Sequence, residues 1–311
     1  MASCEAQLWG LVSNIEPTKA QKEGAKRSHN YLRDVLCTGQ MASRITDHYL
    51  SGSYSRDTAI RPLDDVDIIF VIDPSKWGTG LLSLFMKPAP EKVLHSFANA
   101  IRYRYPISSI YGQRRSVRLE LSHLDIDVVP AVIDSSNSDF IWIPDRNSGD
   151  WIKSSPKRHG ANTTDVNKHQ GNRFKPLVKL LKHWNGNLPS TVKLKSFAIE
   201  TMAVRLFQKV SFQSLEQGLL EFFDFVANFH GKALAFNWQS KYDMSFDWLS
   251  RSVPDAAGTG TNVVAGVDNT RGVKFVEHAI RSRDRMLEAQ RAVSIDTAVI
   301  KVAKALRTSI N

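Results

Sequence analysis

The sequence predicts an α+β chain of two lobes, a small mixed sheet lobe followed by a helical lobe, with a cleft between them. Three observations carry this. Residues 50–135 mix short buried runs with period-two patterning. From Trp151 onward apolar residues recur at helical spacing. Neither half contains an internal repeat or a long low-complexity segment. The boundary is placed near 150, giving a sheet lobe over 1–150 with N-terminal helices and a helical lobe over 151–311.

Each element has its own signal. Residues 16–50 carry a helical pattern that closes near Tyr49-Leu50. The run Val66 to Ile72 is β-branched and apolar, as a buried strand is. Leu94, Phe97, Ala98 and Ile101 share one helical face, and Pro106 closes that helix. Val117 to Leu121 alternates, reading as a strand with one wet face. Leu124 to Val129 is a further strand, ended by Pro130. In the second lobe Leu177, Leu180, Leu181 and Trp184 form one stripe over 174–185. Helices follow over 194–209, 213–229 and 273–292, and a last one starts at Ser294 as N-cap, with Val299, Val302, Ala303 and Leu306 inward. Residues 255–272, rich in Gly, Thr and Asn, read as a loop. Trp238, Phe246 and Trp248 are expected to fill the helical core.

Composition narrows the function class. The formal net charge of +10, from 41 Lys+Arg against 31 Asp+Glu, favours a polyanionic partner or substrate, either nucleic acid or nucleotide phosphates. The two cysteines, Cys4 and Cys37, belong to no CxxC or Cys/His cluster, which argues against a structural zinc site and for a reducing compartment. With no signal-peptide pattern and no apolar run of the ~20 residues a membrane span needs, a cytoplasmic location and no membrane partner are expected.

The chemistry gathers around carboxylates. Asp65 and Asp67 stand two apart on a strand and so project to one face, while Val66 and Ile68 enter the core. Two adjacent carboxylates repel unless a cation sits between them, and Mg²⁺ is the hard ion that takes such oxygen ligands. In Leu124 to Pro130 the pattern recurs, with Asp125 and Asp127 on one face. If the strands are neighbours, one of these acids completes a two-metal site. Asp127, deeper in the apolar run, is preferred, with Asp125 the alternative. Upstream, Gly52-Ser53 starts a turn whose backbone amides and hydroxyl can approach phosphate oxygens.

The run from Gly52 to Ile69 resembles the signature of polymerase-β-like nucleotidyltransferases, within them the oligoadenylate synthase and cyclic GMP-AMP synthase group. It is most similar to the bacterial cyclic-oligonucleotide synthases of anti-phage signalling. The residues are Gly52-Ser53, the twelve-position step to Asp65, the Asp65-x-Asp67 pair and Asp127-Val-Val-Pro-Ala131. The resemblance implies a bilobal polymerase-β-like fold and a metal-dependent enzyme that makes a cyclic di- or trinucleotide messenger. Asp65, Asp67 and Asp127 would be catalytic and hold two Mg²⁺, with Mn²⁺ as substitute. ATP is the expected triphosphate, with the second base open, and a regulatory protein or nucleic acid is allowed as a further partner. Phe174 to Trp184 resembles the family helix whose basic residues hold the triphosphate. There Lys175, Lys179 and Lys182 stand at i, i+4 and i+7 opposite the apolar stripe, and Lys179 and Lys182 are the expected phosphate ligands. Leu194 to Glu200 resembles a family helix that touches the nucleotide, nominating Ser196, with Glu200 a structural partner. The competing readings are a terminal transferase acting on RNA or a small acceptor, and a non-catalytic binding module.

Overall fold

The β-branched run at 66–72 forms an inner strand of a seven-stranded sheet. The strands are β1 (Ile45–Ser51), β2 (Asp65–Ile72), β3 (Ile110–Gly112), β4 (Val117–Glu120), β5 (Asp125–Ile133), β6 (Ile141–Asp145) and β7 (Asp150–Ser154). They run in the order β1-β2-β5-β4-β3, with β6 joining β5 to β7. The pair β2–β5 is parallel and every other ladder antiparallel. The computed structural model describes residues 3–78, 87–228, 242, 244–246 and 251–310. The chain divides into two units, 17–160 and 1–16 with 161–311.

In the first unit, alternation along β2 sorts its residues. Val66, Ile68 and Phe70 join Leu32, Leu36, Leu94, Phe97 and Ile101 in the main core. Leu32 and Leu36 lie on the helix α2 (Lys19–Thr38), and the last three on α4 (Pro90–Arg104). A capping box of Thr18 and Gln21 starts α2, satisfying donors the first helical turn leaves over. The opposite face of the sheet carries a smaller apolar cluster of Ile69, Val71, Val129, Ala131 and Ile141. Two expectations change here. Tyr49 and Leu50 belong to β1, because the helical pattern stops at Thr38 and the chain then pairs in register with β2. The strand β5 does not end at Pro130. That residue falls after the last β4 partner, Val128, and before the first β6 partner, Val132, where its missing N–H costs no ladder bond on that side.

The second unit is helical: α1 (Glu5–Ile15), most of α5 (Pro156–His169), α6 (Phe174–Gly186), α7 (Ser196–Phe207), α8 (Leu215–Ala227), α9 (Asn269–Gln290) and α10 (Ile295–Leu306). Its centre is Trp184, whose indole N–H donates to Ser282 Oγ at 2.9 Å and whose ring meets Phe223 and Phe275. Ser294 caps α10 as expected, accepting from Thr297 N. The helix α1 had been assigned to the sheet lobe. Instead its stripe of Leu8, Leu11, Val12 and Ile15 is buried, and it packs on α6 and α8. The side chains of Trp238, Phe246 and Trp248 lie outside the described residues. Among those described, no helix is long and apolar enough to cross a membrane.

Candidate active site

Parallel pairing of β2 with β5 sets the carboxylates opposite one another: Asp65 faces Asp125, and Asp67 faces Asp127. Neighbouring strands lie ~4.8 Å apart, so four acids form a two-by-two array at one end of one sheet face. Beyond them the same face turns apolar at Ile69, Val71, Val129 and Ala131. Water is thus reduced on one side of the array. Asp65 is exposed, Asp67 half-buried and Asp127 buried. Burial pushes the Asp67 carboxyl up to about 7; Asp65 and Asp127 add to the rise, and Arg56 and Arg118 oppose it. Burial also raises Asp125, against the pull of Arg118.

The strand β4 supplies a residue the sequence reading passed over. Arg118 lies directly across from Asp127. Its Nη2 donates to Asp127 Oδ2 at 2.6 Å and its Nε to Oδ1 at 3.1 Å, while Nη1 reaches Asp125 Oδ2 at 3.1 Å. Ser116 Oγ donates to Asp127 Oδ1 at 3.3 Å. Alternation along Val117 to Leu121 had placed Arg118 on a wet face. The missing information was which strand β4 joins.

Gly52 begins the single-turn helix α3 (Gly52–Ser55) at φ +70°, immediately after Ser51, the cross-strand partner of Asp67. A Cβ there would stand 1.9 Å from Asp67 Oδ2. Only glycine allows the turn to rest against the carboxylate. Ser53 is partly exposed in this turn, and its carbonyl accepts from Thr58 N at 3.0 Å. The fold therefore brings together Gly52, Ser53, Asp65, Asp67 and Asp127, all within the unit 17–160.

The other nominees lie in the second unit. Lys179 and Lys182, expected on one basic face of α6, are 2% and 4% exposed. Lys179 Nζ meets Glu16 Oε1 at 2.6 Å and Lys182 Nζ meets Glu200 Oε2 at 2.9 Å. The physical reason is that α1, α7, α8 and α10 all pack on α6, leaving little of it exposed. Glu200 is the structural partner expected of it. Ser196 is exposed at the first position of α7.

Among the described residues, no three His, Cys, Asp or Glu side chains already converge as a metal site. Both oxygens of Asp127 are engaged by Arg118. The donor set still fits a hard divalent cation. It consists of carboxylate oxygens, one of them with its proton held to about 7 by burial and like charge, and Gly52 leaves clear the space a Cβ would fill.

Residues 2–167 match the family model described as the Second Messenger Oligonucleotide or Dinucleotide Synthetase domain. Over 211 residues the chain is 33% identical to a cyclic AMP-AMP-AMP synthase of Acinetobacter sp., covering 65% of this chain and 58% of that relative. The match thus spans little more than half of the relative's length. Two solved structures of CdnC from Escherichia coli MS115-1 superpose over 99% of this chain and 98% of theirs. In complex with HORMA-deltaN the TM-score is 0.74 at 18% identity; with ATP it is 0.72 at 20%. That likeness is one of fold, a mixed sheet with helices.

Proposed function

This chain belongs to the second messenger oligonucleotide or dinucleotide synthetase family, and from that premise we propose that it is a metal-dependent nucleotidyltransferase joining nucleoside triphosphates into a cyclic di- or trinucleotide messenger. ATP is the expected substrate. A regulatory protein partner and an anti-phage role belong to the same reading. One observation carries it: the register that sets Asp65 and Asp67 against Asp125 and Asp127, with the Gly52 turn touching Asp67.

In each transfer a ribose hydroxyl oxygen bonds to the α-phosphorus of a triphosphate, the α–β phosphoanhydride breaks, and pyrophosphate leaves. Asp65, Asp67 and Asp127 would hold two Mg²⁺ or Mn²⁺ ions. Bound there, the ions supply charge for the leaving pyrophosphate and acidify the attacking hydroxyl. Asp127, oriented by Arg118, is placed to accept the hydroxyl proton. The amides of the Gly52 turn and the Ser53 hydroxyl face phosphate oxygens. Ser196 stays in the reading as a nucleotide contact. For Lys182, leaving a buried partner costs about 3–5 kcal/mol, so its role here is to hold α6 to α7, and Lys179 ties α6 to Glu16 in the same way.

The test is mass spectrometry of the product formed from mixed triphosphates with Mg²⁺ or Mn²⁺ and no acceptor. A phosphatase-resistant oligonucleotide is expected; a product that forms only on an added RNA would replace this reading with terminal transfer. Asp65→Asn combined with Asp67→Asn should abolish product at unchanged circular dichroism, and retained synthesis would remove these residues from the site.

A further inference from the structure

We propose that Arg118 is a positioning residue of the metal site: it holds Asp127 in a fixed orientation, then yields it to a divalent cation while staying fixed to Asp125 and Gln113. This rests on the reading of the carboxylate array as the metal site.

The geometry is specific. Arg118 is the cross-strand partner of Asp127, so strand pairing itself delivers the guanidinium to the carboxylate. Two of its nitrogens take the two Asp127 oxygens, at 3.1 and 2.6 Å, the side-by-side fork that fixes a carboxylate plane as well as its charge. The other terminal nitrogen is held by Asp125 at 3.1 Å. Turning the Gln113 amide over, the orientation that satisfies both Ser116 and Arg118, lets its oxygen accept from Nε at 2.7 Å. These second anchors matter. An arginine with Asp127 as sole partner would be left uncompensated when a cation took that carboxylate. Arg118 keeps an anion and an amide oxygen, so it can release one oxygen or both without losing all its acceptors.

Charge leads the same way. Asp65, Asp67, Asp125 and Asp127 are four carboxylates in one array. A guanidinium in their midst lowers the repulsion between them, and it competes with an incoming cation for the same oxygens. Arg118 therefore weakens metal binding somewhat while keeping Asp127 where the reaction needs it. A residue that merely braced the sheet would not have these two opposite effects.

The experiment compares the full chain with Arg118→Gln and Arg118→Lys. Mn²⁺ binding is titrated by the electron paramagnetic resonance signal of the free ion, without nucleotide, and turnover is measured at saturating Mn²⁺. With a competing charge-assisted pair removed, Arg118→Gln should bind Mn²⁺ about tenfold tighter. Its turnover at saturating metal should fall about tenfold or more, because Asp127 is no longer oriented. Arg118→Lys, which keeps the charge but loses the fork, should show the turnover loss with Mn²⁺ affinity near that of the parent. Unchanged or weaker Mn²⁺ binding in Arg118→Gln overturns the proposal, as does full turnover in both variants. Should Arg118→Gln fail to fold, the Lys variant decides through turnover at saturating Mn²⁺, with full turnover overturning the proposal. The Asp65→Asn/Asp67→Asn variant separates the two levels. If it binds Mn²⁺ like the parent, the site reading fails. If it loses Mn²⁺ while Arg118→Gln matches the parent, only the role of Arg118 fails.

Discussion

A Cβ at position 52 would lie 1.9 Å from Asp67 Oδ2, on a backbone already at φ +70°. Gly52→Ala therefore forces either the turn or the carboxylate to move. Product formation should drop roughly 100-fold, as for a catalytic group displaced by ~1 Å, and stability by about 1 kcal/mol or more. Turnover and the thermal midpoint of the variant check both. Asp67 also sets a pH dependence. Its folded pKa, about 7, stands above the ordinary carboxyl value, so the folded state holds this proton more tightly than the unfolded chain does. The stability it contributes is present at low pH and is lost as pH rises through about 7. A cation must displace that proton. Mn²⁺ affinity should thus rise by up to about tenfold per pH unit below neutrality and level off above it. Calorimetric titration across that range would reveal it, and a flat profile would mean Asp67 is already ionised. The acids and the glycine were readable from the chain because their spacing is local. Arg118 was not, since alternation says which face a residue takes and is silent on its neighbour across the ladder.

Helix α6 shows the same limit at the scale of an element. The spacing of Lys175, Lys179 and Lys182 describes a face, but only packing says what covers it. Glu16 and Glu200, which pair with Lys179 and Lys182, come from other elements, Glu16 from the end of α1 and Glu200 from the next helix, α7. Lys182→Met should strand Glu200 in the interior and cost about 3–5 kcal/mol, while adding Glu200→Met should recover most of that loss. Denaturant unfolding of the single and double variants measures this. A single variant of normal stability that no longer binds triphosphate would instead return Lys182 to the phosphate site. Strand β5 teaches the converse lesson. Pro130 looked like a terminator, yet the ladder continues past it because no neighbour needs its N–H at that point.

For the molecule as a whole, the chain's two ends share one unit: α1 belongs with residues 161–311. Four of its side chains, Leu8, Leu11, Val12 and Ile15, are buried, and Glu16 follows at its end to meet Lys179. Each apolar side chain is worth about 1.5–3 kcal/mol when fully buried, a sum comparable with the whole stability of a domain. Removing residues 1–16 should therefore raise hydrogen exchange sharply in α6 and α8 while β2 and β5 stay protected. Equal loss of protection in both units would show that they unfold together.

By itself the sequence determined the acids, the glycine turn, the order of a sheet part before a helical part, and the family these motifs belong to. All of these rest on residues close together in the chain, where spacing maps directly onto strand faces and helix stripes. Tertiary structure decided the rest. It aligned Asp65 and Asp67 with Asp125 and Asp127, set Arg118 against Asp127, closed Lys179 and Lys182 onto glutamates, and moved α1 out of the sheet unit. Each of these is a meeting between separate elements, from consecutive strands nine residues apart for Arg118 and Asp127 to helices 163 residues apart for Lys179 and Glu16. Local periodicity shows which surface a segment presents, and only packing selects the surface it meets.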